Sequence, residues 1–162
     1  MIRGTIAVAA VMTTIAAAVF ACSSSSSGGG GGGGSSWAGT YNCTQTTNVD
    51  MIMLGDASIG NMDGTKAMGT LTVTQNGNDL TAVVTSDAGS ACTLNFTANG
   101  DTATVASGQS CMGMQQGFTY TESFTSGTAT LSGTTVTTNL AGKVTGQVMA
   151  TFTEMATCTK SM

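Results

Sequence analysis

From Gly69 onward, threonine alternates with apolar residues in the two-residue rhythm of strands that bury one face. Leu71 and Val73, Leu80 and Ala82, Leu94 and Phe96, and Ala103 and Val105 each recur at every second position, as do Val148, Ala150 and Phe152. A helical period is absent beyond the first segment of the chain, apart from a short stretch over residues 50–54. The stretch LTVTQNGNDLTAV centres on Asn76 and Gly77, the strongest short hairpin signal. A two-residue turn there sets Val73 against Leu80 and Leu71 against Ala82. The same treatment of CTLNFTANGDTATVA, turning at Asn99 and Gly100, sets Phe96 against Ala103 and Leu94 against Val105. Apolar meets apolar in both, so turn and register agree.

Further along, Ser126 and Gly127 predict a turn that pairs Phe124 with Ala129. A three-residue loop over Ala141, Gly142 and Lys143 pairs Leu140 with Val144 and Val136 with Val148. With WAGTYNCTQ as a first strand, about eight strands follow one another through short turns. That rhythm predicts an all-β antiparallel up-and-down meander closed into a small barrel, with a β-sandwich as the alternative. The opening Trp37, Gly39 and Tyr41 resemble the start of a lipocalin barrel, although their order differs. The resemblance implies fold alone. A membrane-spanning barrel is not expected, because aromatics are 5 % of the chain and the outward face is threonine.

Composition changes this picture in one respect. Only 7 % of residues are charged, and neither histidine nor proline occurs. The commonest general base and metal ligand near neutral pH is therefore missing, and an enzyme is not expected. From Trp37 onward three lysines face eight carboxylates. Such a surface repels phosphate backbones, so no nucleic-acid partner is expected.

Residues 1–21 carry Arg3, then an alanine- and valine-rich stretch, then small residues, the layout of a secretory signal peptide. Val19, Phe20, Ala21 and Cys22 resemble the lipobox of bacterial lipoproteins, with Phe20 bulkier than that family's usual residue. The resemblance covers the leader and its cysteine. It implies a lipoprotein whose Cys22 carries the lipid (palmitate among its acyl chains) and anchors the chain in the cell envelope, at the outer membrane. Plain cleavage after Ala21 and soluble secretion is the alternative. Residues 22–36 then form a Ser/Gly tether whose coil spans about 20 Å and stretches to about 50 Å. The folded domain is residues 37–162.

Setting Cys22 aside leaves Cys43, Cys92, Cys111 and Cys158, an even number in an exported domain. Three pairings into two disulfides exist. Cys92 with Cys111, and Cys43 with Cys158, are favoured, because a closed meander sets its first and last strands side by side. Zinc on four cysteines is the rival, but it lacks a close C-x-x-C pair.

Candidate chemistry is sparse, and no cofactor is expected. Met51, Met53, Met112 and Met114 form two Met-x-Met pairs of the kind that suits Cu(I). Methionine also fills irregular cores, and histidine is missing, so metal is the weaker reading. Glu122 shares strand parity with Tyr120 and Phe124, which points it inward, although exposure at the barrel rim or a bulge that turns it outward is the more common outcome. A lone carboxylate cannot divide acid and base work as a glycosidase pair does. Residues 55–66 fall in the one long connection (residues 48–68), where Asp56, Asn61 and Asp63 offer oxygen ligands without the order of a calcium loop. The expected ligand-binding residues are Tyr120, Glu122, Phe124, Phe96 and Phe152, holding a small apolar molecule or lipid. The alternative is a ligand-free structural module that binds an envelope protein.

Overall fold

The computed structural model describes residues 36–86, 91–115 and 118–162. The expected signal peptide, Cys22 and the expected tether as far as Ser35 lie outside the described residues. Among the described residues all nine regular elements are strands: β1 (Gly39–Leu54), β2 (Ala57–Asn76), β3 (Asp79–Ser86), β4 (Ala91–Asn99), β5 (Thr102–Val105), β6 (Ser110–Gln115), β7 (Phe118–Ser132), β8 (Thr135–Gly146) and β9 (Val148–Lys160). Each pairs antiparallel with the next in the chain, except that β5 and β6 both pair with β7 and not with each other. The sheet closes through β1 against β9 and β5 against β7. The fold is the expected barrel, not the sandwich.

β5 and β6 are two halves of one stave, since both run antiparallel to β7 and meet its successive segments. Between them the chain steps out over residues 106–109 and stays tied to both sides. The Ala106 N–H donates to the Asn95 carbonyl and the Phe124 N–H to the Gln109 carbonyl, each at 2.9 Å. Gln109 clips this step to β4: its Nε2 donates to the Asn95 carbonyl (2.7 Å), and its Oε1 accepts from the Asn95 N–H (2.6 Å). Eight staves therefore enclose the core.

Both favoured disulfides are present. Cys43 and Cys158 are directly opposed on β1 and β9, with Cα atoms 3.9 Å apart. Cys92 and Cys111 join β4 to β6 with Cα atoms 5.5 Å apart, beyond the end of β5.

The faces fall as the alternation predicts, but several turns do not. The hairpins at Asn76 and Asn99 turn one residue later, on Gly77–Asn78 and Gly100–Asp101. Val73 therefore meets Ala82, Leu71 meets Val84, Phe96 meets Val105 and Ala98 meets Ala103. Glycine takes the first central position at φ +61° and +62°, the arrangement of a type II′ turn. Gly55 and Gly133 open two further turns in the same way. Because each shift moves the partner by two residues, every side chain keeps its face.

No turn forms at Ser126 and Gly127, and none at Ala141 to Lys143. β7 and β8 run straight through both and pair with each other, Phe124 opposite Gly142 and Gly127 opposite Leu140. Val144 accordingly meets Ala150, and Val136 meets Cys158. Glycine serves packing there: a Cβ at Gly142 would run into the Phe152 ring, and one at Gly127 into Leu140 and Val105.

The long connection is also absent. Residues 48–68 belong to β1 and β2, a hairpin that turns at Gly55 and Asp56. Residues 50–54 are strand, with a bulge at Met51, the one described non-glycine residue at positive φ (+53°). The Asn61 side chain secures the bulge by accepting the Met51 N–H at 3.0 Å, and Asn48 accepts the Gly64 N–H at 2.8 Å.

Candidate binding site

One end of the barrel is sealed by its own first residues. Trp37 is 1 % exposed, its indole N–H donates to the Gly100 carbonyl (3.0 Å), and its backbone N–H donates to Gln75 Oε1 (3.0 Å). The Tyr41 hydroxyl, fully buried, donates to the Trp37 carbonyl at 2.7 Å. Lys160 crosses the same end, donating to the Ala38 carbonyl (2.7 Å) with its ammonium 5.8 Å from the Tyr41 ring centre. Burial pushes the Tyr41 hydroxyl pKa up.

Above this plug lies a cavity of about 50 Å³, its walls including Trp37, Leu80, Leu94, Phe96, Ala129, Val136 and Ala156. At its other end the wall turns polar with Gln45, Thr138 and Glu154. Small side chains create the space: Ala82, Ala129 and Ala156 line it and are buried. A few waters or a short alkyl group fit there; a dry engineered cavity of about 150 Å³ is what holds a benzene ring.

The rows across β9, β8 and β7 place the remaining candidates. Glu154 meets Leu140, which meets Gly127; the next row is Phe152, Gly142 and Phe124; the next is Ala150, Val144 and Glu122; then comes Gly146 with Tyr120. Phe124 and Phe152 are buried and pack edge to face, with ring centres 5.7 Å apart. They sit beside Gly142, the residue whose missing side chain makes room for them. Tyr120 likewise lies over Gly113 of β6, where a Cβ would enter its ring.

The chain has two glutamates, Glu122 and Glu154, and both lie on inward rows. Burial raises the Glu122 pKa. Burial, and then the negative charge of Glu122, push Glu154 up to about 7. Burial and the same charge raise Tyr120. A carboxyl group held there either keeps its proton or pairs with a cation, and the described lysines do not supply one. Lys66 and Lys143 are exposed, and Lys160 is spent at the sealed end.

Of the five residues expected to bind ligand, Phe96 lines the cavity, Phe124 and Phe152 form the next layer, and Tyr120 and Glu122 lie in the rows beyond it. Glu154 was missed. Its signal was the parity of the last strand, in which Val148, Ala150, Phe152, Glu154, Ala156 and Cys158 share one face.

The methionines do not converge. Met51 and Met53 lie on β1, where Met53 pairs with Met149 of β9. Met112 and Met114 lie on β6, with β9, β8 and β7 in between. Met112 is 84 % exposed. Asp56 sits at the hairpin tip, while Asn61 and Asp63 lie on β2, and the Asn61 carboxamide oxygen is taken by the Met51 N–H. Among the described residues, no three Cys, Asp or Glu side chains gather as a metal-binding group.

Compared with family models, characterised proteins and solved structures, the chain matches none.

Proposed function

We propose that this protein is a lipid-anchored binding module of the bacterial cell envelope, holding a small molecule with an apolar body in its barrel. The observation that carries the reading is the apolar cavity, sealed at the Trp37 end and bounded by polar side chains at the other. Polar groups placed at one end of an apolar pocket orient a ligand rather than merely fill space. At about 50 Å³ the cavity admits a short chain or the end of a longer one, not a whole lipid.

The lipobox-like Cys22 supplies the anchor, and the tether starts at the sealed end, so the ligand end faces away from the attachment point. No catalysis is assigned to the module, and no nucleic acid or cofactor. The acceptor membrane is the outer membrane, with soluble secretion as the alternative. Metabolic labelling with palmitate tests the anchor: label incorporated by the wild type and lost in Cys22→Ser supports it, and equal labelling rules it out.

Native mass spectrometry of the exported full chain carrying Cys22→Ser tests the binding reading. A bound small apolar molecule, lost when Ala156→Leu fills the cavity, is the expected result. A bare protein, or the same adduct on the filled variant, overturns it. The second reading, a packed structural module that meets a protein partner, draws on the small size of the cavity and gains from a bare protein.

A further inference from the structure

We infer that the barrel is selective for small hydrophobic amines, with the apolar body in the cavity and the ammonium on Glu154. The inference rests on the binding reading above and adds the chemical class of the ligand. Three independent features lead to it. The cavity wall is apolar from Trp37 upward and carries one acidic group, Glu154, at its polar end. No basic side chain among the described residues faces it from any neighbouring strand. β1 offers Gln45 and Thr47, β8 offers Thr138 and Leu140, and β7 offers Gly127 and the second acid, Glu122.

The third feature is where the acids are. The described aspartates lie on outward faces or in turns, whereas both glutamates, half-buried, lie on inward rows. A chain this poor in charge gains nothing in folding from placing its only two glutamates inside the barrel, where desolvation opposes them. A ligand cation reverses that penalty: it pairs with Glu154 while Glu122 adds a second negative charge within electrostatic reach. A bare divalent metal ion fits less well, because Glu154 with the neutral oxygens of Gln45 and Thr138 falls short of a full oxygen coordination sphere and the rest of the cavity wall is hydrocarbon. An amine with a short alkyl group matches both halves of the site.

NMR titration of the full chain carrying Cys22→Ser, with n-butylamine and with n-butanol at pH 8, tests the inference. Saturable shifts of cavity residues with the amine at least about tenfold tighter than the alcohol are expected, the usual scale of one charge-assisted contact. Glu154→Gln should remove that preference by weakening the amine at least about tenfold, and Glu122→Gln should reduce it. The amine should also weaken from pH 8 to pH 5, as the acids take up protons while the amine keeps its charge. Equal binding of amine and alcohol overturns the amine selectivity and leaves the apolar-ligand reading standing. Binding of neither overturns both. A preference that survives Glu154→Gln overturns the role of that residue.

Discussion

At the scale of single residues, Glu154 carries the largest consequence. An unfolded glutamate titrates near 4.5 and the folded one near 7. Between those values the folded state holds a proton that the unfolded state has released. The contribution of this group is therefore most favourable below 4.5 and is lost as pH rises towards 7. The full loss is at most about 3 kcal/mol, less where water reaches the carboxylate. Glu154→Gln should consequently be more stable than the wild type at pH 8, with the gap closing towards pH 4, as read by urea denaturation at both pH values. An unchanging gap would mean that the carboxylate is fully solvated in the fold. Met51 is the other unusual residue, held at φ +53° with its N–H on Asn61. The bulge it makes lets β1 shift register against both β2 and β9 beyond residue 50.

At the scale of elements, glycine has two separate tasks, and substitution distinguishes them. Gly77 turns a hairpin at φ +61°, and nothing lies within 4 Å of where its Cβ would be. Gly77→Ala should cost about 1–2 kcal/mol, the backbone penalty of a left-handed residue, and leave the core unchanged. Gly142 sits within β8, and its Cβ would strike the Ser123 carbonyl and the Phe152 ring. Gly142→Ala should cost about 3 kcal/mol by overpacking and should also disturb the near-ultraviolet signal of the Phe124–Phe152 pair. Equal costs and an unchanged aromatic signal in both variants would refute the division. The sequence cannot make it: Ser126 and Gly127 read like Ser132 and Gly133, yet only the second pair brackets a turn.

At the scale of the whole molecule, closure is the governing feature. Antiparallel pairing of β1 with β9 removes what would otherwise be two free edges, and the Cys43–Cys158 bridge lies within that seam. The seam ladder already exists in the folded state, so the bridge acts mainly by limiting the unfolded chain. With the cysteines separated by 115 positions in sequence, the double variant Cys43→Ala/Cys158→Ala should lose about 4–5 kcal/mol in the chain-entropy model. Urea denaturation of the oxidised protein beside that variant provides the measurement. A loss below about 1 kcal/mol would mean that the unfolded chain is already restricted by other contacts. The Cys92–Cys111 bridge serves a different purpose, spanning from β4 to β6 where β5 has stopped.

What the sequence by itself determined is what depends on neighbours one to four residues away. The two-residue period set the strands and the face of each side chain. The even number of cysteines after Cys22, with their spacing, led to the two disulfides. Tyr120, Glu122 and Phe124 were legible as sharing one face of their strand for the same reason. The tertiary structure alone decided matters that depend on residues far apart in the chain. A hairpin that turns one residue later keeps every face and changes every partner, so alternation could not choose between the two registers. Gly142 reads as a turn residue until Phe124 and Phe152, from two other strands, are packed beside it. Glu122 reads as a lone acid until closure carries β9 round, because the energy that couples it to Glu154 depends on distance in space and not on separation in sequence.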